Sequence, residues 1–129
     1  MKKMTWLWIL LAIIVAVIGG YYALKPFLPS NKNVGNRAKL ERTFAAAEQK
    51  LINENQLTAD ELAKHNGENG SKPYVAINGV VYDMSGFPSW VSGRHHGVNA
   101  GTDVTEKFVA SGHGAAILQK MPVVGGLKK

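Results

Sequence analysis

The 129-residue chain has no cysteine, which excludes disulfides, thiolate ligation of a metal and a cysteine zinc site, while leaving the compartment open. It is also poor in acid, with nine Asp and Glu against fifteen Lys and Arg and a net charge of +6. The excess is uneven. Residues 1–56 hold eight basic and three acidic residues, a balance of +5, whereas residues 57–129 hold seven and six, a balance of +1. A basic surplus confined to the first part suits anionic lipid headgroups and requires no nucleic-acid partner. Internal repeats, low-complexity tracts, a phosphate-binding glycine loop and a nucleophile with an adjacent base are all missing, so the pattern points away from an enzyme.

Charge is absent altogether from Thr5 to Leu24, TWLWILLAIIVAVIGGYYAL. Twenty uncharged residues at about 1.5 Å rise span roughly 30 Å, the hydrocarbon thickness of a bilayer. Trp6 and Trp8 near one end and Tyr21 and Tyr22 near the other sit where an aromatic belt would place them. A cleaved signal peptide is the competing reading, since Lys2 and Lys3 precede the run. The run is long for that class, though, and no small-x-small cleavage site follows it. A membrane anchor over residues 1–25 is therefore expected. Counting basic residues on the two flanks would leave the rest of the chain in the cytoplasm, but a short basic tail before an apolar run resembles a signal anchor. The domain is accordingly expected on the extracytoplasmic side.

Pro26 to Asn36 reads as a break, with two prolines, a glycine and three asparagines. Leu40, Phe44, Ala47 and Leu51 then recur at helical spacing and predict an amphipathic spacer helix over 37–52, able to pack on the domain or on a second copy of itself. Residues 26–56 are thus read as linker and spacer, and 57–129 as the compact domain. Within it, Thr58 and Glu61 form a capping box for a helix running to about Lys64, and residues 66–70 break it. The β-rich runs Tyr74–Ile77 and Val80–Tyr82 flank Asn78-Gly79, which predicts a type I′ hairpin. Short helices are expected over 103–110, capped by Thr102 or Asp103, and over 114–120, with a last strand at Val123-Val124. The fold class is α+β.

Three of the four histidines, His95, His96 and His113, lie among glycines on both sides of the 103–110 segment. Imidazole is the side chain best suited to give iron a neutral nitrogen ligand, and two of them on opposing loops would grip a flat macrocycle from both faces. The pattern points to a haem pocket. Phe87, Trp90, Val98, Phe108, Val109, Ile117, Leu118 and Met121 exceed what a closed ion site needs and suit a slot for a large apolar ring. A zinc site from His95, His96, His113 and Asp103 is the chemical rival, without support from the spacing. His65 reads as a solvated rim residue, and Tyr82-Asp83 as the close of the hairpin.

The order of these motifs resembles the cytochrome b5-like haem and steroid binding domains over residues 57–127. The resemblance is carried by Tyr74–Asp83 (YVAINGVVYD), Ala100–Phe108 (AGTDVTEKF) and Ser111-Gly112-His113. It is nearest the short prokaryotic forms and the membrane-associated progesterone receptor branch. It implies haem b, with His113 as the second axial ligand and Tyr82, Trp90, Phe108, Ile117 and Leu118 as further contacts. The family's His-Pro-Gly-Gly motif is missing. Taken as H-x-G, His95-His96-Gly97 makes His95 the first ligand, whereas the progesterone receptor pattern Tyr-Gly-x-x-Ala-Gly puts His96 in the place of its tyrosine. The ligand that is not used would face solvent with Arg94, near a haem propionate. The implied function is one-electron transfer with a membrane redox partner, or else haem or sterol binding and delivery.

Overall fold

Asn78 and Gly79 adopt φ of 51° and 81°, the left-handed pair that a type I′ turn demands, and fold β2 (Tyr74–Ile77) back on β3 (Val80–Asp83) in the predicted hairpin. This computed structural model describes residues 2–28 and 30–129; Met1 and Pro29, the second proline of the predicted break, lie outside the described residues, as do the side chains of residues 2–4. The chain divides into two compact units, Met1–Asn31 and Lys32–Lys129.

The first unit is α1 (Lys2–Leu24) followed by a 3-10 turn at Lys25–Phe27, where Pro26 ends the helix. Thr5–Phe27 is long and apolar enough to cross a bilayer. Its apolar side chains are exposed all round, Trp6 by 69% and Val17 by 66%, so no core within the unit shields them.

In the second unit, five strands form one sheet in the order β1-β7-β3-β2-β6, with β1 at Gln56–Leu57, β6 at Thr102–Asp103 and β7 at Val123–Leu127. β7 pairs antiparallel to β3 and parallel to β1, and β6 runs parallel to β2. Alternation along the hairpin splits the apolar side chains between two cores. Val75, Ile77, Val80 and Tyr82 face one, while Ala76 and Val81 join Leu57 and Leu62 in the other. α2 (Ala46–Glu54) lies across β7 so closely that a Cβ on Gly126 would stand 2.6 Å from the Ile52 carbonyl.

α3 (Ala59–Ala63) starts at the predicted capping box: Glu61 N donates to Thr58 Oγ1 at 3.2 Å, and Thr58 N to Glu61 Oε2 at 2.7 Å. α4 (Thr105–Ala110) begins two residues later than expected, because Asp103 belongs to β6. Its carboxylate still accepts from Thr105 N at 3.0 Å and Thr105 Oγ1 at 2.6 Å. α5 (Ala115–Gln119) starts after Gly114, close to its expected position.

The spacer helix over 37–52 is not formed. Arg37–Leu40 is a 3-10 turn whose first residues are held by Asn36 Oδ1 accepting from Ala38 N, residues 41–45 have no regular structure, and only Ala46–Glu54 is α-helical. Tertiary contacts override the local period. Leu40 is buried in the first core and Phe44 packs against it, whereas Ala47 and Leu51 stay exposed on α2, so the stripe is split between the two segments.

Leu62, 1% exposed, anchors the second core. Leu62→Ala is expected to lower the unfolding free energy of the detergent-solubilised full chain by about 2–5 kcal/mol, read as a lower urea midpoint at unchanged slope.

Candidate functional site

Beyond β3 the chain is steered by backbone rather than by regular structure. Asp83 Oδ1 accepts from Ser85 N at 2.8 Å, and a kinked 3-10 segment, Pro88–Gly93, carries Trp90 into the first core. Ser92 and Gly93 then take φ of 60° and 69°, and Gly93 abuts the preceding loop so tightly that a Cβ there would fall 1.7 Å from the Asn66 carbonyl oxygen. This close approach aims the next segment, β4 (Arg94–His95), which pairs antiparallel with β5 (Val98–Asn99).

The two residues between them are His96 and Gly97, at φ of 46° and 75°. They form the same two-residue left-handed turn as Asn78-Gly79. The double histidine is therefore a hairpin tip: His95 is a half-buried strand residue and His96 an exposed turn residue, with their rings edge to face and centres 4.4 Å apart.

His95 stacks on Trp90, with ring centres 5.1 Å apart, and its Nδ1 lies 3.2 Å from the Ser89 carbonyl oxygen. A carbonyl only accepts, so this contact puts the proton on Nδ1 and leaves the Nε2 lone pair free in the neutral ring, the arrangement typical of a metal-ligating histidine. Burial pushes the His95 pKa below its ordinary value. The neighbouring His96 and His113 add to that effect and the Ser89 carbonyl opposes it, with the net result that the ring stays neutral near pH 7.

His113 sits on the loop between α4 and α5, its amide 3.3 Å from Ser111 Oγ and its ring 6.5 Å from and nearly parallel to that of Phe108. Its ring centre is 5.9 Å from that of His95, with the planes 26° apart. Two imidazoles bound to opposite sides of one metal have centres about 6 Å apart when each metal–nitrogen bond is about 2.0 Å. The observed separation fits that arrangement.

Between and below the two rings lies a cavity of 640 Å³. Val75 and Ile77 of β2 form part of its lining with Met84, Phe87, Trp90, Val98, Val104, Phe108, Ile117 and Met121, and His95, His96 and His113 border it. The size and the apolar wall suit a flat macrocycle. Lys107 is the one cation among the lining residues.

Of the residues singled out from the sequence, His95, His96, His113, Trp90, Phe108 and Ile117 are brought together here. Tyr82 and Leu118 are not. Each is 1% exposed and belongs to the core behind the cavity, Tyr82 turned instead under the Arg42 guanidinium, 5.5 Å from its ring centre. The cause is strand and helix geometry: Tyr82 sits on β3, beyond the β2 floor, and Leu118 points away from the exposed start of α5. Arg94 does not line the cavity either, and lies 3.9 Å from Glu68. Asp103 spends its carboxylate on α4, and among the described residues no group of three or more His, Asp or Glu could hold a metal ion, which argues against the zinc alternative. His65 stacks on Tyr74 at 4.2 Å, away from the cavity. The sequence reading missed Val75, Ile77 and Met84 as lining residues and Ser89 as the partner of His95. For Val75 and Ile77 the signal was present, in their alternation with Ala76.

Residues 58–128 match the protein family described as "Cytochrome b5-like Heme/Steroid binding domain". A cytochrome b5 domain protein of Hadesarchaea is similar in structure, with 44% identity, a TM-score of 0.54 and coverage of 57% of this chain and 97% of its own. One from Methanococcoides burtonii gives 40% identity, a TM-score of 0.54 and coverage of 57% and 96%. In sequence the chain is also similar to a Neuferricin homolog of Drosophila pseudoobscura pseudoobscura, 30% identical over 105 residues; that match takes in 78% of this chain but only 37% of the relative.

Gly93→Ala is expected to cost at least about 2 kcal/mol, since left-handed strain and the clash with Asn66 act together. Gly70→Ala, at φ of 80° in open space, carries the strain alone and is expected to cost about 1–2 kcal/mol. Thermal unfolding of the two variants side by side measures the difference.

Proposed function

The chain belongs to the cytochrome b5-like haem/steroid binding domain family, and on that premise we propose that it is a membrane-anchored b-type haem protein that carries single electrons, its iron held by His95 and His113. The observation that carries this reading is the 5.9 Å separation of the two imidazoles across an apolar cavity. His95 is preferred to His96 as first ligand because it has the Ser89 carbonyl on Nδ1 and the half-buried strand position, whereas His96 occupies the turn.

Bound there, haem supplies a one-electron Fe(III)/Fe(II) couple. His95 and His113 would hold the iron between them, an arrangement that leaves no open position for oxygen or substrate and favours electron transfer over catalysis. Trp90, Phe108, Val75 and Ile77 keep water from the centre, and the dryness of this wall together with the imidazole ligands tunes the potential. Lys107 provides a cation at the cavity for the carboxylates of the cofactor. The Thr5–Phe27 helix would confine the carrier to the bilayer, with the domain on the extracytoplasmic side, near a membrane-bound redox partner.

The test is an absorption spectrum of the haem-loaded full chain in detergent, oxidised and reduced. Sharp α and β bands on reduction are expected. A five-coordinate spectrum that changes on adding small ligands would replace electron transfer by ligand binding or delivery. His95→Ala and His113→Ala are each expected to weaken haem affinity by at least about 100-fold, equivalent to about 2.8 kcal/mol. His96→Ala is expected to leave the low-spin spectrum intact. Loss of that spectrum in His96→Ala with retention in His95→Ala would reverse the ligand assignment.

A further inference from the structure

The two candidate ligands are held in different ways. His95 is oriented through its own ring, by Ser89 and Trp90. The His113 imidazole has no hydrogen-bond partner among the described residues, so its position depends on the Phe108 ring beside it and on the backbone that carries it.

That backbone is gripped from outside by a segment that lies wholly before the family match at 58–128. Gly35 N donates to the Val109 carbonyl at 2.8 Å, and Asn33 Nδ2 to the Gly112 carbonyl at 3.2 Å. Lys39, 3% exposed, donates through Nζ to the carbonyls of Ser111 and Asn33, both at 2.8 Å, and its ammonium lies 5.0 Å from the centre of the Phe108 ring. Arg42, its side chain 5% exposed, donates through Nη1 to the carbonyls of Leu118 at 2.7 Å and Met121 at 2.8 Å. Carbonyls just before His113 and at the end of α5 are thus tied to one strap. A buried cation is costly unless it finds acceptors; Lys39 finds one on the loop that bears the ligand, at Ser111, and Arg42 finds two at the end of α5, with Glu48 on its other terminal nitrogen.

Resting on the haem reading above, we infer that residues 33–42 are a positioning strap for the second axial ligand, with Lys39 and Arg42 as its positioning residues. Fixing the loop before the cofactor arrives removes an ordering cost from binding and slows its release.

The test uses the full chain in detergent and two readouts. In the chain without haem, Lys39→Met is expected to speed amide hydrogen exchange at residues 111–117 by about tenfold or more while changing residues 75–82 less than about twofold. Leu62→Ala, a destabilising change in the other core, is expected to act the opposite way, on 75–82 more than on 111–117. In the loaded chain, Lys39→Met is expected to release haem to an excess scavenger about tenfold faster or more, with the low-spin spectrum kept at saturation. Asn33→Ala, a milder change should Lys39→Met not fold, is expected to show the same exchange pattern at about threefold. Unchanged exchange at 111–117, or equal acceleration in both regions, overturns the strap. So does haem release no faster than in Leu62→Ala. A wild-type chain that takes up no haem overturns the proposed function instead, while the exchange pattern still decides whether the strap orders the loop.

Discussion

The governing constraint on this small domain is that its main core has a slot cut into it. At about 24 cal/mol per Å³, an enclosed void of 640 Å³ would cost about 15 kcal/mol, as much as the entire stability of an ordinary domain. The slot is therefore open at the side where His113 sits exposed, and the walls must be held by something other than packing across it. Two devices supply that support. The sheet is covered on its far face by a second core around Leu62 and Val81, and the slot's rim is laced by hydrogen bonds to backbone carbonyls.

The second device explains why charge appears inside a domain otherwise built from apolar side chains. Lys39 and Arg42 are long enough to reach backbone carbonyls at loop and helix ends, and each sits over an aromatic face while doing so: Phe108 for Lys39, Phe44 and Tyr82 for Arg42. Glu48 completes the arrangement. It pairs with Arg42 Nη2 at 2.5 Å and accepts from Ala45 N at 2.9 Å, so the start of α2 and the rim of the slot share one carboxylate.

What the sequence revealed and what it hid divide along the same physical line. The Asn78-Gly79 hairpin, the Thr58–Glu61 box, α4, α5 and the last strand are set by neighbours within a few residues, and all are found at or within about three residues of where local chemistry predicts them. The strap is not local. Its bonds to the rest of the domain join residues 69 to 79 positions apart, and they pull 37–44 out of the helix that the spacing of Leu40, Phe44, Ala47 and Leu51 suggests. Tyr82 and Leu118 were misplaced for a related reason: periodicity identifies an inward face, but it cannot say whether that face looks into the slot or the core behind it.

The double histidine shows how one turn decides chemistry. Read as a string, His95-His96-Gly97 offers two equivalent imidazoles. As a hairpin it does not, because two left-handed residues in succession are what a two-residue turn requires, and histidine tolerates that region better than most side chains with a Cβ. Placing His96 and Gly97 at the turn forces His95 onto the strand, where pairing with Val98 turns it toward Trp90 and His113. A register slip of one residue would exchange the two imidazoles, and it is opposed upstream, where Gly93 is locked against Asn66 and its carbonyl accepts from Ala100 N at 2.7 Å. The placing of the two imidazoles on strand and turn thus leans on a backbone contact that involves neither histidine.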